Sequence, residues 1–313
     1  MEIYQLRYFL AVAETGNFTK AAQRAFVSQP SLSQQILNLE EEFGQKLFHR
    51  LGRKAVLTEA GKILVEGARQ IIGEVDQTLQ DLKESAGQGP KVSVGAIPTV
   101  APFFFPAIIA HCRASEIPLN IQTQEDFRRP LAEAVLDGHL DWALISLPFN
   151  EPRLHLEKLY SEPLWLAVSA SHPLAQARDL TFESLRNENF ILLGEASTLT
   201  LQIQHFCGDA DFEPRISHRC SQLATAKSLT AMGLGVTVLP KSARSATDPE
   251  GLVFRKFSGP VQPSRDIALV RHRRRHLGHG ALLFADAARA VVGPSPAMVS
   301  AAPFPLPGVP ATG

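Results

Sequence analysis

The stretch that decides the fold of the N-terminal part is "NFTKAAQRAFVSQPSLSQQILNLEEEFGQKLFHRLGRKAVLTEAG", residues 17–61. Asn17 is placed to cap a short helix, and Ser28 to cap a second helix that tolerates Pro30 in its first turn. Apolar residues recur in this second helix at spacings of four, three and four, and Gly44 ends it. The pattern predicts two capped helices followed by a basic β-hairpin.

The outward face of the second helix is rich in amides and hydroxyls. A glutamine amide both donates and accepts, and it can bind adenine through two hydrogen bonds in the major groove of DNA. The acidic run Glu40-Glu41-Glu42 would be repelled by phosphate, so only the N-terminal half of the helix is expected to enter a groove. Basic residues in "KLFHRLGRKAVLT" (46–58) are placed to contact phosphates and fix the register. For the polar face alone, a solvated side of an ordinary three-helix bundle is the alternative.

Residues 58–86 have the pattern of one long helix, which the Gly-rich segment 87–90 ends. Apolar residues alternate spacings of three and four along it: Val65, Ala68, Ile72, Val75, Leu79 and Leu82. The spacing favours a seam against a second chain, and a two-fold dimer would present two reading helices to DNA. Packing of this stripe onto the chain's own body is the alternative.

Beyond residue 90, short β-rich segments alternate with helical ones, which predicts an α/β domain with a mostly parallel sheet. Ligands of such sheets bind at the carboxyl ends of strands. The candidate ligand residues there are Ile97, Pro98, Thr99, Arg128, Ser197, Thr198 and Thr200. Hydroxyls and amides at a helix start, with an arginine nearby, favour a small anion such as a carboxylate. Ordinary N-capping by the Ser and Thr residues and a solvated charge at Arg128 remain the alternatives.

Composition narrows the function classes. The 313 residues contain 31 Lys plus Arg and 31 Asp plus Glu, so no global charge indicates nucleic acid or a membrane. Cys112, Cys207 and Cys220 have no short spacing, which fits neither a disulfide framework nor a zinc site, and a cytoplasmic location is expected. The longest uncharged run, residues 92–110, is interrupted by three prolines and predicts no membrane span. No catalytic, metal or cofactor motif is present, so neither enzyme activity nor a cofactor is expected.

The N-terminal motifs carry a family resemblance. Residues 17–61 resemble the winged helix-turn-helix of LysR-type transcriptional regulators through "FTKAA", "SQPSLSQQI", "LFHR" and "LTEAG". The looser phrases "VLDGHLDWALIS", "ASHPLA" and "AMGLGVTVLP" are similar to the effector domain of that family, which resembles two-lobed periplasmic binding proteins. Phe26 departs from the family's usual Leu and is expected to be a bulkier core residue.

The resemblance implies a domain order: a winged helix-turn-helix (1–58), a linker helix with hinge (59–89), a two-lobed α/β effector domain (90–293) and a disordered tail (294–313). It also implies that the residues facing the groove and its bases are Gln29, Pro30, Ser31, Ser33 and Gln34. The DNA backbone is expected to face Arg50, Arg53 and Thr58, with Lys54 on the same basic hairpin.

The implied function is sequence-specific DNA binding controlled by a small-molecule effector between two lobes. The expected partners are double-stranded DNA, an effector of anionic type and further copies of the chain, as a dimer or tetramer, with no membrane. The effector domain most resembles the peroxide-sensing OxyR-type branch, whose reactive cysteine lies nine positions before a second one. Counting back from Cys207 reaches Thr198, which cannot form a thiolate, so peroxide sensing is not implied. A redox response through a remaining cysteine and a solute-binding receptor remain as alternatives.

Overall fold

The computed structural model describes residues 1–52, 54–83, 89–258 and 262–293. The chain divides into two compact units. The first contains Met1–Gly89 and Arg274–Gly278, and the second contains Pro90–Arg273 and the chain from His279 onward. The predicted tail, residues 294–313, lies outside the described residues.

The first unit consists of short helices, a two-stranded hairpin and one long helix. Its elements are α1 (Ile3–Thr15), α2 (Phe18–Arg24), α3 (Gln29–Phe43), β1 (Phe48–Leu51), β2 (Lys54–Leu57) and α4 (Glu59–Lys83). β1 and β2 are antiparallel and form the wing. The predicted order of elements is present.

The predicted caps set the helix boundaries. The Asn17 side chain accepts from the backbone N–H of Lys20 at 3.0 Å, and Ser28 Oγ accepts from the N–H of Ser31 at 3.3 Å. Gly44, with φ of 65°, ends α3 in the left-handed conformation that glycine adopts at little cost.

The carboxylate of Glu40 joins α3 to the wing. Although it belongs to the acidic run, Glu40 is buried. Its oxygens accept from the backbone N–H groups of Leu47 and Phe48 at 2.8 and 3.2 Å, and from Lys46 Nζ at 3.1 Å. The first residue of the acidic run is therefore a hydrogen-bond acceptor within the protein, and it satisfies the backbone N–H groups where β1 begins.

Phe26 is not a core residue, so that expectation is wrong. Its side chain is 95% exposed and its φ is 55°. The N–H of Val27 closes the end of α2 by donating to the carbonyl of Ala22 at 3.0 Å, and Val27 packs against the core. The reversal of the chain at Phe26 turns its side chain outward.

The apolar stripe of α4 has a buried half and an exposed end. Val65, Ala68 and Ile72 are buried in the core of the first unit, which also contains Leu6 and Phe9 of α1. That half of the stripe packs onto the chain's own body, so its assignment to a seam between chains is wrong. Farther along, where α1 no longer covers the helix, Leu79 and Leu82 are 49% and 61% exposed. Residues 84–88, the end of the predicted helix and the first two residues of the Gly-rich segment 87–90, lie outside the described residues.

The second unit is an α/β domain with two lobes. Its elements are β3 (Lys91–Ala96), α5 (Ala101–Ala114), β4 (Asn120–Glu125), α6 (Arg128–Leu136), β5 (Trp142–Ser146), β6 (Leu154–Ser169), β7 (Asn189–Leu193), α7 (Thr198–Asp209), β8 (Arg215–Cys220), α8 (Leu223–Ala231), β9 (Thr237–Pro240), β10 (Leu252–Arg255), β11 (Ser264–His272) and α9 (His279–Val292). Three 3-10 helices, Pro173–Gln176, Glu183–Leu185 and Lys241–Ala243, lie in its connections.

The sheet of this unit is mixed, so the expectation of a mostly parallel sheet is wrong. The strand order is β10-β6-β11-β5-β3-β4, with β9 also paired to β6. β3 is parallel to β4 and β5, whereas β11 is antiparallel to β5 and β6. A separate parallel pair joins β7 and β8. β11 is antiparallel to β5 because the chain leaves the first lobe through β6 and returns to it in β11, outside any βαβ repeat.

β6 links the two lobes as one continuous strand of 16 residues. From Leu154 to Pro163 it pairs with β11, and from Leu164 to Ser169 it pairs with β9 and β10. The second lobe has its own apolar core, which includes Phe190, Ile191 and Leu199. Among the residues described, no helix combines the length and apolar character that crossing a membrane requires.

Gly61 and Gly67 allow a matched test of how α4 packs on the wing. A Cβ at position 61 would lie 2.2 Å from the carbonyl oxygen of Leu47, while one at position 67 would meet nothing within 4 Å. We expect Gly61→Ala to lower the free energy of unfolding by roughly 1–3 kcal/mol, the usual cost of overpacking. Gly67→Ala should raise it by about 0.5–1 kcal/mol through helix propensity. Urea denaturation measures both, and equal effects would contradict the close packing at Gly61.

The exposed end of the α4 stripe is expected to contact a second copy of the chain. Leu79→Glu places a charge where the stripe is uncovered, and an unpaired charge buried in a contact costs roughly 3–5 kcal/mol. We expect this variant to lose self-association in sedimentation while its helix content is unchanged. Gln70→Glu adds the same charge on the opposite face of α4 and should behave like the parent protein. Ile72→Glu should instead unfold the first unit, because Ile72 is buried in its core.

Candidate nucleic-acid interface and ligand cavity

The N-terminal half of α3 presents an exposed polar face. Gln29, Pro30, Ser31 and Gln34 are all exposed on it. Gln34 Nε2 donates to Asn38 Oδ1 at 2.9 Å, so the amide is held along the helix while its other donor and its acceptor oxygen stay available. Four of the five residues predicted to face bases therefore lie at the surface.

Ser33 lies underneath this face. It is 9% exposed, and its hydroxyl accepts from Gln29 Nε2 at 2.9 Å. The expectation that Ser33 itself faces a groove does not fit this placement. Its position one helical turn after Gln29 lets it orient the Gln29 amide instead.

The wing carries exposed basic residues next to α3. Arg50 and Lys54 are exposed, and the guanidinium carbon of Arg50 lies 4.7 Å from the centre of the Phe18 ring. Thr58 has a structural role: its hydroxyl donates to the Lys46 carbonyl at 2.6 Å and accepts from the Gly61 N–H at 3.0 Å, which caps α4. Arg53 lies outside the described residues.

A cavity in the second unit brings together most of the predicted ligand residues. Six of them line it: Ile97, Pro98, Thr99, Arg128, Ser197 and Thr198. They come from the ends of β3 and β7 and the starts of α6 and α7, as expected for the carboxyl ends of strands. The cavity has a volume of about 20 Å³, room for one or two water-sized molecules. A wider cavity of about 460 Å³ shares Pro98 and Ser221 with it.

Thr99 is held by a buried arginine that sequence reasoning missed. The Thr99 hydroxyl lies 2.6 Å from Arg265 Nη1, and its carbonyl accepts from Arg265 Nη2 at 2.9 Å. Arg265 is 2% exposed and is paired with Glu162, whose Oε1 lies 2.7 Å from Nη2. Only the β-rich pattern around residue 265 was visible in the sequence. The Thr99 oxygens are thus already engaged, and this residue shapes the wall of the cavity.

Arg128 is the cation at the cavity. Its Nη1 donates to the carbonyl of Pro148 at 2.8 Å and, more weakly, to that of Ser146 at 3.4 Å. Burial, and then the neighbouring charge of Arg129, lower the pKa of the Arg128 guanidinium, yet arginine remains charged at neutral pH. Within the described part of the chain, neither Nε nor Nη2 of Arg128 donates a hydrogen bond, so these donors remain for an anion.

The start of α7 forms another wall. Ser197 occupies the N-cap position without a capping side-chain hydrogen bond, and Thr198 is the first helical residue. Both are largely buried at the cavity. Thr200 is not among the residues lining it: it is 1% exposed, and its hydroxyl donates to the Leu193 carbonyl at 2.9 Å. Thr200 therefore ties α7 to β7.

The three cysteines are buried and free. Burial raises the pKa of Cys207 to about 12 and also raises the pKa of Cys112 and of Cys220. A thiol with so high a pKa is almost entirely protonated at neutral pH and is a poor nucleophile. Across the described ranges, no group of His, Cys, Asp or Glu is arranged to hold a metal ion.

Two family models match this chain. Residues 3–62 match the bacterial regulatory helix-turn-helix proteins of the LysR family, and residues 85–293 match the LysR substrate binding domain. The chain belongs to the LysR family. The family consists of transcriptional regulators and not of enzymes; its members bind DNA, bind a small molecule in the substrate-binding domain and form oligomers.

The chain is similar to several individual members of this family. The chain is 33% identical to the DNA-binding transcriptional dual regulator OxyR of Escherichia coli K12 over 277 residues, covering 86% of this chain and 89% of OxyR. It is 31% identical to the regulator YcgK of Bacillus subtilis, over 92% of this chain and 94% of YcgK. A full-length OxyR variant from Pseudomonas aeruginosa has a similar structure, with a TM-score of 0.68, 29% identity and coverage of 93% of this chain and 98% of that one.

Substitutions at Gln29 and Lys54 test whether base reading and phosphate binding are divided between α3 and the wing. We expect Gln29→Ala to weaken binding to the protein's own DNA site by about 1–3 kcal/mol, the worth of one good base contact, while binding to random DNA is unchanged. Lys54→Ala should weaken binding to all sequences alike and lower the slope of log K against log salt by about 1. Titrations at several salt concentrations test both. Equal losses on cognate and random DNA for Gln29→Ala would contradict its assignment to bases.

Proposed function

We propose that this regulator reads DNA bases through the first turns of α3 and is controlled by a small anion bound in the cavity between its two lobes. The observation that carries the proposal is the convergence of Arg128 and the start of α7 on one cavity. Action on DNA in the cytoplasm fits these roles.

The DNA-binding part of the proposal rests on exposure and charge. The amides of Gln29 and Gln34 and the hydroxyl of Ser31 are available at the surface, while Ser33 orients Gln29 from below. Lys54 and Arg50 supply positive charge on the wing, where phosphates would fix the register. Glu40 is turned away from any groove because its carboxylate is bound to the wing backbone.

The groups at the cavity support an anionic effector. Arg128 has unused donors, and the N-terminus of α7 adds backbone N–H groups with a positive dipole end. Since the cavity holds only one or two water-sized molecules, a carboxylate head would fill it and the rest of the ligand would extend toward the wider cavity at Pro98 and Ser221.

Control of DNA binding requires the anion to favour one arrangement of the two lobes over another. The cavity walls come from both lobes, so a ligand that contacts Arg128 and Ser197 together draws on both. β6 passes from one lobe to the other, and a change between lobes must be absorbed along it. A shift of the lobes would alter the spacing of the reading heads in an oligomer.

A redox-responsive regulator is the second candidate, and the OxyR relatives favour it. The position expected for a reactive cysteine is Thr198, and the cysteines that are present are buried with raised pKa values. These features support the small-anion proposal over the redox candidate. A solute receptor is not supported, because a helix-turn-helix of the LysR family precedes the binding domain.

Substitutions at Arg128 and at its exposed neighbour Arg129 test the proposed effector site. Acetate, succinate and benzoate would each be titrated against the full-length protein by calorimetry and thermal melting. We expect at least one of them to bind, and Arg128→Gln to weaken that binding by about 1.5–3 kcal/mol, typical of a hydrogen bond to a charged group. Arg129→Gln should retain the parent affinity. Equal losses in the two variants would contradict a site at Arg128.

Because its cysteines are buried and protonated, we expect DNA binding by this protein to be insensitive to hydrogen peroxide. Low hydrogen peroxide added to the reduced protein should leave its DNA footprint unchanged, because at pH 7 a thiol of pKa about 12 is almost wholly protonated. Cys207→Ser serves as the control. A footprint change in the parent that disappears in this variant would favour the redox candidate.

A further inference from the structure

Phe26 has an unusual position for an aromatic residue. At 95% exposure it exceeds every other exposed large apolar side chain in the described chain, the next being Ile63 at 76%. Its φ of 55° is in the left-handed region, which L-residues other than Asn and Asp seldom adopt. The folded chain therefore holds this ring out in water on a strained backbone.

The fold of the turn does not require a phenylalanine. The hydrogen bonds that close α2 come from backbone groups: the N–H of Phe26 to Gln23 and the N–H of Val27 to Ala22. Glycine or asparagine at the left-handed position of such a helix end would form the same bonds with less strain. Strained residues that the local fold does not need often lie at functional sites.

The location of the ring points to a partner. Phe26 lies in the turn that leads into α3, three residues before Gln29. When the first turn of α3 enters a major groove, this turn comes to the edge of the same groove. The apolar group that the major groove displays on its base edges is the C5 methyl of thymine. Contact with that methyl would remove exposed ring surface from water, which is favourable.

We infer that Phe26 is a specificity residue that contacts the C5 methyl group of a thymine at the edge of each half-site. The inference rests on the proposed reading role of α3. The ring adds a preference for a thymine beside the base pairs that Gln29 and Gln34 contact.

The test uses DNA that differs by single methyl groups. The site would first be selected from random duplexes with the full-length protein, and each thymine pair in the two half-sites would then be replaced by deoxyuridine. One replacement should weaken binding by the parent about fourfold for each half-site, the fold-change that corresponds to one buried methyl group. Phe26→Gly should bind the thymine and uracil sites equally, and its melting temperature should not fall.

Phe26→Asn, which also tolerates the left-handed conformation, is the second variant and should behave like Phe26→Gly. If neither variant alters DNA binding while Gln29→Ala loses cognate affinity as expected, the inference fails and the proposed reading role of α3 stands. If Gln29→Ala has no specific effect, the reading role itself fails. Loss of affinity in the Phe26 variants without any effect of uracil in the parent would place the ring against the sugar-phosphate wall and overturn the methyl contact. Unchanged DNA binding with lost transcriptional output would assign the ring to a protein partner instead.

Discussion

A buried ion pair holds the crossing between the two lobes of the effector unit. Arg265 of β11 and Glu162 of β6 are 2% and 7% exposed, and Nε and Nη2 of Arg265 both bond to Glu162 Oε1. Glu162 also accepts from the Ser242 N–H of the second lobe, while Arg265 binds Thr99 of the first. Removing one partner of such a pair costs about 3–5 kcal/mol, because a charge is left buried and unpaired. The shape of the cavity wall at Thr99 therefore depends on an ion pair whose two residues do not themselves line the cavity.

Each of the two units contains a buried carboxylate that accepts hydrogen bonds from within the protein. The donors are backbone N–H groups in the first unit and a guanidinium in the second. In the first unit Glu40 binds two N–H groups at the entry to β1, which fixes the wing relative to α3. In the second unit Glu162 fixes Arg265. In both units the buried carboxylate therefore finds its hydrogen-bond donors within the protein.

Periodicity and capping chemistry in the sequence predict the helices of the first unit, since Asn17, Ser28 and Gly44 act through their immediate neighbours. The same reasoning predicts which residues line the cavity, because the ends of strands and starts of helices are local features. It fails where a partner is distant in sequence. Glu40 looks like part of a solvated acidic run, and the seam at Ile72 looks like a dimer contact until α1 is seen to cover it. Neither the mixed sheet nor the bond from Arg265 to Thr99, 166 residues apart, has a local signal.

The place of β11 in the sheet constrains how the chain can fold during its synthesis. β11 lies between β5 and β6, yet it begins only at Ser264. Strands β3, β4 and β5 of the first lobe are complete by Ser146. The ribosome must therefore synthesise the entire second lobe before β11 can join their sheet. During that interval the edge of β5 has unpaired backbone groups, which are prone to non-native pairing. The first lobe is consequently finished last, and truncation before residue 264 would leave its sheet open.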